Sequence, residues 1–101
     1  MIKKITAEEL KYKIDQDQEV TILEALPLQY YRKGHIPGAL NFPVDQSVDQ
    51  MEELAQTLLP NRDAEIVVYC ANTSCENSEI AVQRLTKLGY RNVSEYVEGK
   101  E

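Results

Sequence analysis

The chain has 101 residues, a length that fits one compact domain and leaves no room for a second. Hydrophobic residues make up 43% of it, enough for a packed core, yet no apolar run approaches the roughly 20 residues that cross a bilayer. With 17 acidic and 11 basic residues the net charge is −6, which repels nucleic-acid phosphates and acidic membrane surfaces. We therefore expect a single domain over residues 1–101 that binds neither nucleic acid nor membrane.

The N-terminus turns polar too early for a secretory signal, so we expect a cytoplasmic protein. Ile2–Ile5 predicts a short first strand. Thr6 and Glu9 form a capping-box pattern, in which each side chain accepts a hydrogen bond from the other residue's backbone N–H, and this predicts a helix start. The helix continues to about Ile14 and is expected to bury Leu10 and Ile14.

The next segment predicts a strand, a short helix and another strand. Val20–Leu23 is rich in β-branched residues, which favour a strand. Leu28–Lys33 predicts a helical turn that Gly34 ends. Pro37–Gly38 then predicts a tight turn before a short strand over Ala39–Phe42.

A second capping-box pattern, formed by Ser47 and Gln50, predicts the start of the following helix. Apolar residues recur there at three- and four-residue spacings, which predicts that one face is buried. That face consists of Val48, Met51, Leu54, Ala55 and Leu58.

The C-terminal half continues the alternation of strands and helices, which predicts an α/β protein with a parallel sheet covered on both faces. The apolar run Ile66–Tyr69 predicts a strand at the centre of that sheet, and Val93–Val97 predicts the last strand. Between them we expect a helix that ends before Gly89, a residue suited to the position after a helix C-cap. Its predicted inner face consists of Ile80, Ala81, Leu85 and Leu88.

Cys70 is the residue that its position most favours for chemistry. It follows the predicted central strand, and ligands of open α/β sheets gather beyond the carboxyl ends of the strands. A polar segment and a helix N-terminus come next, where free backbone N–H groups stabilise an anion such as a thiolate. Cys70 is therefore predicted to be a nucleophile, although a small, buried and inert core residue remains the alternative.

The sequence resembles the rhodanese family over nearly its whole length. The resemblance rests on Gly34–Ala39 (GHIPGA), on the acidic Glu24 at the end of the preceding strand, and on Val67–Cys70 (VVYC). It implies a three-layer α/β/α sandwich on a five-stranded parallel sheet in the order 3-2-4-5-1. His35 is predicted to fix the turn rather than to act as a general base. The residues expected to shape this turn are Gly34, His35, Pro37 and Gly38.

The resemblance also implies the chemistry of a sulfurtransferase. Cys70 would take sulfane sulfur from a small donor, thiosulfate or a persulfide, hold it as Cys–S–SH and pass it to a thiol or protein acceptor. Neither a cofactor nor a metal is expected, and we expect a monomer. The backbone amides implied to bind the persulfide belong to Ala71, Asn72, Thr73, Ser74, Cys75 and Glu76.

Three departures from the common family pattern bear on the substrate. Glu24–Leu26 stands where the family has Asp-x-Arg, Cys75 stands where the active loop has an arginine, and a longer loop puts Ser78 at the family's serine position. Without that arginine, and with Glu76 and Glu79 nearby, we expect thiosulfate to bind weakly. Glu76 also stands where the resemblance implies that related phosphatases need an arginine, so we expect phosphatase chemistry to be absent. A minority branch with a Cys-x4-Cys loop, some of whose members are fused to DNA-binding domains, is the most similar.

The two cysteines leave other functions open. A disulfide between Cys70 and Cys75 would close only a short loop, so their interest is chemical rather than structural. Cys75 is either a resolving thiol or a steric replacement for the arginine. The alternatives to a sulfurtransferase are a non-catalytic sensing or docking module and a thiol–disulfide redox protein. Rhodanese domains usually continue into a last short helix, so we expect either a trimmed C-terminus or a naturally short form.

Overall fold

The computed structural model describes residues 3–16, 20–70 and 76–97. Strands and helices alternate through them, as the sequence predicts. The strands are β1 Lys3–Ile5, β2 Val20–Glu24, β3 Leu40–Asn41, β4 Glu65–Tyr69 and β5 Val93–Tyr96. The helices are α1 Ala7–Asp15, α2 Leu28–Lys33, α3 Val48–Leu58 and α4 Asn77–Lys87, and no helix in these ranges is long and apolar enough to cross a membrane.

The strands form one parallel sheet in the order β1-β5-β4-β2-β3. This is the predicted order 3-2-4-5-1 viewed from the opposite edge, so the expected fold class is confirmed. The central strand is β4, whose last residue, Tyr69, lies opposite Glu24 of β2 and Tyr96 of β5. Because the strands are parallel, their carboxyl ends meet at one edge of the sheet, and Cys70 lies at that edge.

The sheet is covered on both faces by separate apolar clusters. Met51 of α3 and Leu85 of α4 pack on one face with Val68, whereas Leu10 of α1 packs on the other with Val67. Consecutive residues of a strand point to opposite faces, so the part of β4 that is covered on both faces must be apolar at every position. All four residues of its Ile66–Tyr69 run are fully buried, which explains why the run lacks the polar alternation of a half-exposed strand.

Both predicted capping boxes are present. Glu9 N–H donates to Thr6 Oγ1 at 3.1 Å, and Thr6 N–H donates to Glu9 Oε1 at 3.2 Å. The same pair of bonds joins Ser47 and Gln50, with both distances 3.1 Å. Each box satisfies two backbone N–H groups, one at the N-cap and one in the first turn, which sets where α1 and α3 begin.

Two residues predicted to be buried are exposed instead, and both lie in a terminal turn of their helix. Ile14 is 45% exposed in the last turn of α1, and Val48 is 55% exposed in the first turn of α3. Helical spacing identifies residues on one face, but it does not show where the covering element ends. On α4, Val82 is buried although it was not predicted, and Ile80 is only half-buried.

The strand boundaries differ from the prediction by one or two residues. The third strand is limited to Leu40–Asn41, although Ala39 and Phe42 on either side are buried, and the last strand ends at Tyr96 rather than Val97. The predicted first strand begins at Ile2, which lies outside the described residues. These differences leave the strand order and the position of Cys70 unchanged.

Candidate active site

Cys70 is held directly after the central strand. Its side chain is 1% exposed and belongs to the apolar cluster beneath α3 and α4, on the same face of the sheet as Val68 and Ala25. The backbone near it is fixed, since Ala25 N–H donates to Tyr69 O at 2.9 Å. The sulfur therefore lies in the layer between the sheet and α4, at the carboxyl end of β4.

A short chain of buried polar groups leads away from this sulfur. Cys70 Sγ lies 3.6 Å from Ser78 Oγ, in the first turn of α4. The Ser78 hydroxyl donates to Glu95 Oε2 at 2.7 Å. Ser78 is 2% exposed and Glu95 6%. Glu95 reaches Ser78 because it pairs with Val68 across β4 and β5 and so faces the same layer as Cys70.

Glu95 was missed as a site residue by sequence reasoning. The signal was present, because Glu95 is the single charged residue in a strand segment whose other residues are Val93, Ser94 and Tyr96. A carboxylate in a buried strand needs a hydrogen-bonding partner, since burial without one is costly. The sequence alone does not show that Ser78 would be that partner.

The opposite face of the sheet carries a second buried carboxylate. Tyr69 hydroxyl donates to Glu24 Oε2 at 3.2 Å and accepts from Ile36 N–H at 3.0 Å. Burial raises the pKa of Tyr69, and the nearby charge of Glu24 and its hydrogen bond raise it further, while the bond from Ile36 N–H lowers it. Tyr69 is thus a neutral phenol that ties the GHIPGA segment to the end of β4.

The GHIPGA turn is held by contacts with α2. His35 Nδ1 lies 3.0 Å from Tyr31 O, and the two rings stack with centroids 3.8 Å apart. The Tyr31 hydroxyl donates to Ala39 O at 2.6 Å. Gly38 has φ +86°, a left-handed conformation that favours glycine. These contacts would suit a turn-shaping role for the motif, and the functional role of His35 stays a prediction.

Side-chain amides join the segments around the carboxyl ends of the strands. Asn77 Nδ2 donates to Ala25 O at 3.2 Å, which connects the first residue of α4 to the segment after β2. Asn41 Nδ2 donates to Leu26 O at 2.8 Å and connects β3 to the same segment. The start of α4 is thereby held close to the strand ends, where Ser78 meets Cys70.

Of the residues predicted for the active loop, only Cys70 and Glu76 lie in the described part of the chain. Glu76 is exposed and occupies the N-cap position of α4 without a side-chain cap. Residues 71–75 lie outside it, so the persulfide-binding amides and the role of Cys75 stay predictions. Within the described ranges, no three His, Cys, Asp or Glu side chains gather in a way that could hold a metal ion.

Comparison with known proteins identifies the family. The model of the rhodanese-like domain family matches residues 6–101. YrkF of Bacillus subtilis strain 168, named as a candidate sulfur carrier protein, is 32% identical over 98 residues, which are 97% of this chain and 49% of that protein. An HTH-type transcriptional regulator of Mycobacterium tuberculosis is 37% identical over 65 residues, which are 64% of this chain and 26% of the regulator.

A solved structure agrees with these sequence matches. The crystal structure of thiosulfate sulfurtransferase from Pseudomonas aeruginosa superposes with a TM-score of 0.80 at 26% identity, over 98% of this chain and 18% of that one. The chain spans about half of one curated relative and about a quarter of the other. With a family match over residues 6–101 and the parallel sheet that the resemblance implied, the chain belongs to the rhodanese-like domain family.

Proposed function

We propose that this chain carries sulfane sulfur as a persulfide on Cys70 and acts as a sulfurtransferase or sulfur carrier. The supporting observation is that Cys70 Sγ lies at the carboxyl end of the central strand, in contact with a polar side chain at the start of α4. This is the part of an α/β sheet where ligands bind. Membership of a family with relatives named for sulfur carriage and sulfur transfer supports the same chemistry.

The reaction has two displacement steps. In the first, the Cys70 sulfur attacks the sulfane sulfur of the donor, a new S–S bond forms, and the donor's remaining thiol or sulfite leaves with the electron pair of the broken bond. In the second, an acceptor thiolate attacks the outer sulfur of the persulfide and Cys70 leaves as a thiolate. A small-molecule thiol or a protein thiol could serve as the acceptor, and no cofactor enters either step.

The charges near Cys70 favour a persulfide over thiosulfate as the donor. Glu95 lies on the same face of the sheet as Cys70, Glu24 lies on the other face, and Glu76 and Glu79 are exposed at the start of α4. Two unit charges roughly 8 Å apart repel by about 2 kcal/mol at an effective dielectric constant of 20. Thiosulfate carries two negative charges on its one small sulfur-bearing group, whereas the sulfur-bearing group of a persulfide carries one, so we propose a low-molecular-weight persulfide as the preferred donor.

Because Cys75 follows Cys70 by five residues, we also propose that the chain belongs to the rhodanese-like branch with a Cys-x4-Cys loop. We propose that the protein acts as a monomer in the cytoplasm, where a cysteine pair is more often catalytic than structural. A resolving role for Cys75 means that its thiolate attacks the sulfur of Cys70, forms a disulfide and releases the outer sulfur as sulfide. A steric role means that it only fills the place of the family's arginine.

Intact-mass measurement after incubation with a donor tests the proposal. Wild type and Cys75→Ser should gain the mass of one sulfur atom from glutathione persulfide and less from thiosulfate, whereas Cys70→Ser should gain none. Cys75→Ser is the matched control, because it removes a thiol five residues away. Equal uptake by Cys70→Ser, or no uptake by Cys75→Ser from either donor, would overturn the proposal.

The same samples separate the alternatives. Uptake on Cys70 followed by transfer to an added thiol supports the sulfurtransferase. Uptake without transfer identifies a sensing module, and reversible oxidation without uptake identifies a thiol–disulfide redox protein, so either result refutes sulfur transfer. A longer-lived persulfide in Cys75→Ser than in wild type would support the resolving role, and an equal lifetime would exclude it.

A further inference from the structure

A surface groove of about 400 Å³ runs between α3 and α4. Its apolar lining includes Val48, which is 55% exposed, and Ile80, which is half-buried, although the sequence predicted both to face the core. Met51 and Leu88 extend this lining. Apolar side chains that the domain itself leaves uncovered are thus gathered in one concave place, which is typical of a binding surface.

The charged residues that line the described part of this groove are basic, although the whole chain has a net charge of −6. They are Arg84 and Lys87, one turn apart on α4, whereas the acidic neighbours Glu52 and Glu79 do not line it. Arg84 Nη1 lies 3.7 Å from Met51 Sδ, so the guanidinium is held against the apolar lining. Among the described residues neither cation forms an ion pair. The groove is therefore complementary to a ligand that combines apolar groups with carboxylates.

The groove begins at the edge of the sheet where Cys70 lies. Helix α3 connects β3 to β4 and α4 connects β4 to β5, so in a parallel sheet both helices begin at the carboxyl edge. Val48 and Ile80 lie near these helix starts, and Cys70 Sγ is 3.6 Å from a hydroxyl in the first turn of α4. Arg84 and Lys87 follow about 6 and 10 Å further along α4, at 1.5 Å per residue. A segment bound along the groove would therefore have one end beside Cys70.

We propose that this groove binds an amphipathic helix of a protein that receives the sulfur of Cys70. Apolar side chains of that helix, at three- and four-residue spacings, would pack on Val48 and Ile80, and carboxylates beside them would pair with Arg84 and Lys87. Docking raises the effective concentration of the acceptor's thiol at the carboxyl edge, an advantage that a small thiol cannot gain. The acceptor thiolate attacks the outer sulfur of the persulfide, the S–S bond breaks, and Cys70 leaves as a thiolate. This inference rests on the proposed function, because it names the acceptor of the same reaction.

Peptide titrations followed by NMR test the docking step. The probe is a synthetic peptide of about 15 residues, with leucines at three- and four-residue spacings and glutamates beside them, and a matched peptide has glutamine for every glutamate. Binding needs no free thiol on Cys70, which is disulfide-bonded in the structure. We expect amide shifts to change mainly in α3 and α4, and the glutamate peptide to bind about fivefold more tightly. The net charge of the chain favours the opposite order, so equal affinities, or shifts elsewhere, would overturn the proposal.

Variants of the groove locate the bound peptide. Arg84→Glu and Lys87→Glu should each weaken binding of the glutamate peptide about fivefold, whereas Lys11→Glu, at an exposed lysine of α1, is the control with the same change of charge. Val48→Gln should weaken both peptides about fivefold, and Ile14→Gln, at another exposed aliphatic residue, should not. Equal losses in a groove variant and its control would refute the site. Sedimentation showing a dimer that Val48→Gln dissociates would overturn the proposal by identifying a second copy of the chain as the occupant.

Sulfur transfer to the same peptides tests the link to Cys70. A cysteine is added at either end of each peptide in turn, and the Cys75→Ser chain is loaded with glutathione persulfide. Below saturation, the glutamate peptide should accept sulfur about fivefold faster than the glutamine peptide with the cysteine at one end but not the other. Arg84→Glu should abolish this preference and Lys11→Glu should retain it. Transfer without any preference would refute this inference alone, whereas peptide binding by a chain that forms no persulfide would refute the proposed function.

Discussion

Replacement of Tyr69 by phenylalanine probes the hydrogen bonds beneath the candidate active site. The substitution keeps the ring, which is fully buried, and removes only the hydroxyl. That hydroxyl donates to Glu24 Oε2 at 3.2 Å and accepts from Ile36 N–H at 3.0 Å. Tyr69→Phe therefore removes a partner from a buried carboxylate and from the backbone of the GHIPGA turn, with almost no change in packing.

The expected loss of stability follows from these two bonds. A buried polar group that loses its partner destabilises a protein by about 1–3 kcal/mol, and a charged group by more. Ile36 is half-buried and recovers part of its loss from water, whereas Glu24 is fully buried. We expect the free energy of unfolding to fall by about 3 kcal/mol. For a domain of this size, each kcal/mol lowers Tm by about 4–8 °C, so the shift should exceed about 10 °C.

Urea unfolding followed by circular dichroism measures this loss. Tyr12→Phe is the matched control, because Tyr12 is exposed and the same hydroxyl is removed. A double-mutant cycle with Glu24→Gln should give a coupling energy of about 1 kcal/mol or more, since the two side chains are in direct contact. If Tyr69→Phe lost no more stability than Tyr12→Phe, the buried hydroxyl would not stabilise the fold as argued.

Three further changes follow from individual contacts. Above pH of about 10, unfolding should release the proton that Tyr69 retains in the folded state. The free energy of unfolding should therefore fall by up to about 1.4 kcal/mol per pH unit. Urea titrations of Tyr69→Phe should lack this fall. Tyr90→Phe should lower it by about 2 kcal/mol at neutral pH, because the buried hydroxyl donates to Leu59 O at 2.6 Å at the end of α3. Gly89→Ala should lower the free energy of unfolding by about 1–2 kcal/mol and Tm by several degrees in a thermal melt. The reason is that the backbone φ of Gly89 is +98° and an added Cβ would lie 3.3 Å from Arg62 Cδ. A free energy of unfolding that stays constant above pH of about 10 in wild type would refute the first prediction. Wild-type stability in Tyr90→Phe or in Gly89→Ala would refute the contact argued for that residue.

Local signals in the sequence predicted most of the fold because they act over a few residues. The Thr6 and Ser47 capping boxes need only a partner three positions away, and both are present. The run Ile66–Tyr69 predicted a central strand, because only a strand covered on both faces can be apolar at every position. The strand order came from the resemblance to the rhodanese family, since local patterns do not specify which strands pair.

Features that depend on distant parts of the chain were predicted less well. Ile14 and Val48 lie on apolar helix faces but in terminal turns, where they are exposed. The contact of Ser78 with Glu95 joins two residues 17 positions apart, and it exists only because α4 packs over β5. Cys70 could be selected from the sequence because its position at a strand end is a local property. Its partners could not.

The order of the strands brings two buried carboxylates to the end of β4 from opposite sides. Tyr69 and Cys70 are consecutive, so their side chains face different layers: Tyr69 meets Glu24 from β2, and Cys70 connects through Ser78 to Glu95 from β5. The two networks share the backbone of one strand end but no side chain. Loss of the Tyr69 hydroxyl should therefore lower the free energy of unfolding and leave sulfur uptake on Cys70 unchanged.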